Sequence, residues 1–198
     1  MMWISLLVSS SLIAAALLVW PLMNALGLLG VLLLAFLLIG TFLRVFVSSL
    51  VRALASRRRG FPEVAVPFCI NIIGLVLALG VQSSELPIRL DFYLKLHQRE
   101  HIVAQIASRK LKPNVPYNPS IISLSGPDRL LADDGTVEIG GQGSAVWVLF
   151  FMYRGMGPNL YSGFVYIASD ERPADAGFGG TVTRTVLVQP HWFWIDAA

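Results

Sequence analysis

Charge is absent from long parts of this chain. No Asp, Glu, Lys or Arg occurs from Met1 to Leu43, and none from Val64 to Ser84. Over 198 residues the charged share is 14%, against about 25% in an ordinary soluble domain. The deficit is concentrated in the first 84 residues and separates an apolar part from a part of normal globular composition. Cysteine is nearly absent too. The single Cys69 excludes an intramolecular disulfide, and its apolar surroundings make it a poor thiolate nucleophile. No Lys or Arg precedes Arg44, so the basic head of a secretory signal is missing. Neither G-x-S-x-G nor G-x-x-x-x-G-K-[ST] occurs, which removes the serine-hydrolase elbow and the P-loop.

What is present begins with arginine. Arg44, Arg52, Arg57, Arg58 and Arg59 are the only basic residues in the first 88 positions. They separate the second and third of three apolar stretches, at residues 3–20, 24–43 and 64–82, each close to the roughly 20 helical residues that a bilayer core requires. The sequence therefore predicts three transmembrane helices within residues 1–84. Pro21, Leu22, Met23 and Asn24 are expected to form the tight turn between the first two. Residues 44–63 are expected to form a cytoplasmic loop carrying the five arginines, because positive charge is retained inside. Residues 85–198 then face the extracytoplasmic side, which in a bacterial inner (plasma) membrane is the periplasm.

The arginines also explain the basic pI near 9.3. Five of the fifteen basic side chains lie in that window, so residues 85–198 hold ten against eleven acidic ones. With no net positive charge there, nucleic acid is not an expected partner. The expected partners are the lipid bilayer and other envelope proteins. No cofactor is implied, and oligomeric state is not legible. Inside the spans Ser5, Ser9, Ser10, Ser11, Thr41 and Asn71 read as helix-packing residues. No ionisable group stands mid-span to mark a transport path.

Residues 85–198 read as an α+β domain: a small antiparallel sheet with one packed helix. Ile88, Leu90, Phe92, Leu94 and Leu96 alternate with polar neighbours and predict a strand, followed by a helix over 98–110. Pro113, Pro116 and Pro119 then force an extended connector. Further strands are expected at 121–124, 136–139, 145–153, 162–168, 181–188 and 191–195, separated by Gly- and Asp-rich turns.

Candidate chemistry is sparse, and no catalytic residue is assigned. His97, Glu100 and His101 match the H-x-x-E-H pattern in which two imidazoles one helical turn apart bind zinc and the carboxylate acts as base. The predicted strand through Leu96 would destroy that geometry. Glu138, Asp170, Glu171 and His191 are only formal candidates for a further ligand. Asp170, Glu171 and Asp175 lack the spacing of a calcium loop. The glycines of 140–143 and 177–180 fit hairpin turns better than phosphate cradles. Binding surface is expected instead at Arg154, Asn159 and Tyr161, around one turn, and at the Trp192/Trp194 pair. Those tryptophans share one sheet face, while His191, Phe193 and Ile195 take the other. The function these features imply is display of a small extracytoplasmic domain for protein binding, as an accessory subunit or a protective, immunity-type protein. A membrane-anchored zinc hydrolase and a structural subunit of a transporter or respiratory complex are the alternatives.

Overall fold

A computed structural model of the protein describes residues 2–55, 61–141, 146–155, 159–173 and 180–198. Arg57, Arg58, Arg59 and Asp175 lie outside the described residues. The chain divides into two units, Met1–Leu90 and Asp91–Ala198.

The first unit is built from three apolar helices, α1 (Met2–Leu17), α2 (Val19–Ala55) and α3 (Phe61–Gln82), with α1 packed on both others. Two of them are long and apolar enough to cross a membrane; α1, with 16 residues, is shorter, so the expected count of three such helices is corrected to two. The expected turn at Pro21–Asn24 is also displaced. Helical bonding continues past Leu17, since the Leu18 amide donates to Ala14 and that of Leu22 to Leu18, both at 2.9 Å. Pro21 falls in the first turn of α2, where its missing N–H removes no helical bond. The break lies at Gly27, whose φ of +68° is open to glycine without strain. Arg44 and Arg52 likewise belong to α2 and not to a loop, because no Pro or Gly interrupts the chain between Gly40 and Ala55. Both arginines are exposed.

Polar atoms tie this unit together. Ser9 Oγ donates to Asn71 Oδ1 at 3.4 Å, and Asn71 Nδ2 donates to Ser49 Oγ at 3.2 Å, so one buried amide links α1, α2 and α3. Gly74 lets α1 approach: a Cβ added there would lie 2.4 Å from that of Ser9.

The expected strand at 88–96 does not form. Residues Leu86–Ala107 are one continuous helix, α4. Ser84 Oγ accepts from the Leu86 amide at 3.2 Å, and Pro87 sits in the first turn, where it is tolerated. The helix closes at Arg109 in the left-handed region (φ 58°), with the Lys110 and Leu111 amides both returning to the Gln105 carbonyl. The alternation of apolar residues is overridden because the buried stripe, Phe92, Arg99 and Ile102 with Asp91, has helical spacing and includes two ions. Leu94, the apparent inward partner of Phe92, is exposed.

The sheet agrees with the rest of the pattern. Strands β1 (Ile121–Ser123), β2 (Thr136–Gly140), β3 (Trp147–Arg154), β4 (Tyr161–Ile167), β5 (Val182–Gln189) and β6 (Trp192–Ala197) pair antiparallel throughout in the order β1-β2-β3-β4-β6-β5. Val148, Phe150, Met152, Phe164, Trp192 and Trp194 are buried, and Phe92 of α4 reaches this layer, 5.3 Å from both Phe164 and Trp192. Leu149, Phe151, Tyr161, Val165, Ile167, Phe193 and Ile195 form a second apolar cluster on the opposite face.

Candidate binding site

Strand register assembles the predicted turn residues into a polar rim. Arg154 ends β3 directly opposite Tyr161, which begins β4. Its guanidinium is held three ways. Nη1 donates to Asp134 Oδ2 at 2.7 Å, Nη2 donates to Thr136 Oγ1 at 3.1 Å, and the plane lies 3.7 Å from the Phe151 ring centroid. Asp134 is fixed in turn, its Oδ1 accepting from the Thr136 amide and hydroxyl. Phe151 meets Tyr161 edge-on at 5.3 Å. Asn159 is exposed. Its carbonyl and Gly180 are in close approach: a Cβ at Gly180 would come within 3.0 Å of the Asn159 oxygen.

The electrostatics of the rim are set by partial burial. The Tyr161 hydroxyl is pushed up to about 12, first by burial and then by the charge of Glu138. Burial likewise raises the Glu138 carboxyl, with Arg154 opposing. Asp133 is raised by burial and by Asp134, against a backbone hydrogen bond and the charge of Arg154. Three carboxylates thus surround one arginine whose fork is already occupied. The rim offers acceptors to a partner, whereas Tyr161, 4% exposed within the second apolar cluster, is corrected from contact surface to core. Among the described residues the rim contains no base–nucleophile pair.

Trp192 and Trp194 are placed elsewhere. They are 2% and 1% exposed, within the layer that meets α4, with Trp194 Nε1 donating to Asp196 Oδ1 at 3.0 Å. The contact surface expected of them is corrected to core: a six-stranded sheet with a helix on this face needs large apolar side chains there.

His97, Glu100 and His101 all lie on α4 and are exposed. The continuous helix restores the one-turn spacing of the imidazoles that a strand would have destroyed. No third donor joins them: among the described residues no three His, Cys, Asp or Glu side chains gather to hold a metal ion. Asp170 and His191 meet at the β5–β6 turn, where Asp170 Oδ1 accepts the His191 amide at 2.5 Å, apart from α4 in sequence and serving the turn. Glu171 is exposed.

The sequence reading missed a buried ionic group on α4. Asp91 and Arg99 are fully buried. Arg99 Nη2 donates to Asp91 Oδ2 at 2.6 Å, Nη1 donates to the Asp91 carbonyl at 3.2 Å, and the guanidinium stacks 4.2 Å from the Phe164 centroid. Lys95 Nζ lies 2.8 Å from Asp91 Oδ1. Burial lowers both the Lys95 and the Arg99 pKa, with Asp91 opposing. The signal was the Asp91-x3-Lys95-x3-Arg99 spacing, a ladder of helical neighbours.

The chain matches no family model, and neither a curated protein nor a solved structure resembles it.

Proposed function

We propose that this chain is an integral protein of the bacterial inner membrane that presents an α+β domain on the extracytoplasmic side to bind another envelope protein, as an accessory subunit or a protective, immunity-type protein. The observation that carries the reading is where large apolar side chains stay uncovered. Trp3, Leu7, Leu29, Leu33, Phe36 and Leu37 are each 65–77% exposed on α1 and α2. Surfaces of that kind are covered by lipid or by other helices. Residues 91–198, by contrast, fold around their own core and offer a rim at Arg154 and Asn159, with Tyr161 buried beneath it. Sidedness rests on the arginines before α3: with them inside, α3 leads outward.

A reporter that fluoresces only in the cytoplasm, fused after Ala198, is expected to stay dark; a bright fusion overturns the orientation. Resistance to alkaline carbonate extraction tests integral association. Affinity purification in mild detergent tests the binding role, with Arg154→Ala and Asn159→Ala expected to lose a protein that the parent captures. If both variants keep it, recognition lies outside the rim. Capture that survives deletion of residues 85–198 would favour a structural role within the bilayer.

A further inference from the structure

The histidine pair of α4 goes beyond this protein-binding reading. His97 and His101 stand four residues apart on one continuous helix, and both are exposed. Phe92, Arg99 and Ile102, which carry α4 on the sheet, are 0–2% exposed and point the other way round the helix. At 100° per residue the two imidazoles fall near the middle of the free face. The buried stripe fixes the backbone beneath them, so the pair is spaced before any ligand arrives. Gln105, one turn further on, already uses this face: its Nε2 lies 2.7 Å from His101 Nε2. With the amide nitrogen donating, that ring nitrogen is the acceptor and carries the lone pair a metal would take.

We propose that His97 and His101 form a two-imidazole site for one divalent transition cation of the imidazole-preferring class. The cation displaces Gln105 from His101 and keeps its remaining positions for water or for a donor from outside the chain. Two imidazoles one helical turn apart are the chelating unit of helical zinc sites. What a hydrolase adds, a third protein ligand, is missing among the described residues. Among the described residues the site is therefore bidentate, short of the three protein ligands that a catalytic zinc centre uses. Its selectivity should follow the order of divalent affinities for nitrogen donors, with Cu2+ above Zn2+ and Mg2+ not bound.

The test uses the full chain in detergent with CuCl2 or ZnCl2 alone as the probe. Calorimetry should give one Cu2+ per chain, tighter than Zn2+, and the Cu2+ spin-resonance spectrum should show splitting from imidazole nitrogen. His97→Ala and His101→Ala should each weaken Cu2+ binding on the order of tenfold or more, at least what losing a group that supports a metal ligand produces. Gln105→Ala should bind as tightly as the parent or tighter. The only other histidine, His191, supplies the control, and His191→Ala should change nothing. Circular dichroism checks that α4 persists, as expected for exposed positions. Undiminished Cu2+ binding in either α4 variant, loss of binding in His191→Ala, or no binding by the parent overturns the proposal. Failure here leaves the rim untouched, because no rim residue enters the test.

Discussion

Each unit buries a polar cluster, and the two are made of different chemistry. Among the helices the buried polar groups are neutral: Ser9, Asn71 and Ser49 exchange hydrogen bonds across α1, α3 and α2. In the α+β unit they are ions, with Asp91 facing Lys95 and Arg99. The surroundings account for the difference. Where leucine lies outside a helix bundle as well as inside, apolar burial does not distinguish assembled from separated helices, and close packing with a few hydrogen bonds must do so. The sheet unit is held by its apolar layers, so an ionic cluster there need only be internally complete. The first cluster contributes association; the second fixes how α4 seats on the sheet.

Breaking the ionic cluster should have the largest effect. Asp91→Ala leaves two buried cations uncompensated and should cost about 3–5 kcal/mol, read as urea unfolding followed by tryptophan emission. The triple variant Asp91→Leu/Lys95→Met/Arg99→Met should recover most of that loss. If the triple variant is as unstable as the single one, the ions hold the unit together and the contrast fails. Next comes helix approach. Gly74→Val places a Cβ against Ser9 and should cost about 1–3 kcal/mol, as overpacking does, in mixed-micelle unfolding. Asn71→Leu should cost about 1 kcal/mol in the same assay, the usual worth of a hydrogen bond between helices in lipid. A loss as large as that of Asp91→Ala would erase the distinction between the clusters.

The smallest effect belongs to the rim and is a matter of pH. Because burial raises the Glu138 carboxyl, the folded state holds that proton more tightly than the unfolded chain. The resulting stability is complete below the ordinary value of 4.5 and is lost as pH rises through the folded one. Melting temperature against pH should therefore decline across that window in the parent and decline less steeply in Glu138→Gln, where Asp133, also raised by burial, still contributes. The same substitution should bring the Tyr161 ionisation down from about 12, since Glu138 contributes to holding it there. An unchanged phenol titration would separate the two groups.

The positions of all six strands can be read from the amino-acid order to within two residues, because β-branched and aromatic runs bounded by Gly, Pro and Asp have one reading. α4 cannot. Leu90, Leu94 and Leu96 simulate a period of two, while the stripe that decides the matter includes Asp91 and Arg99, which any hydropathy rule places outside. Gly27 outranks Pro21 as the helix break for a similar local reason: proline is harmless in a first turn, whereas a positive φ selects glycine. Of the rim, the turn that presents Arg154 and Tyr161 is visible in the sequence. The proximity of Glu138 to Tyr161 depends on β2-β3-β4 register, which no single strand encodes.

Strand order has a consequence in time. β6 follows every other described strand along the chain, yet it lies inside the sheet, between β4 and β5. Until it inserts, β5 has no neighbour to pair with, one edge of β4 is open, and the layer that receives Phe92 lacks both of its tryptophans. Synthesis delivers β1 to β4 as a meander first, but the layer closes only with this late central strand. Burial of Trp192 and Trp194 therefore reports that this layer has closed, and a domain lacking β6 exposes two facing strand edges, the form most prone to pair with another copy.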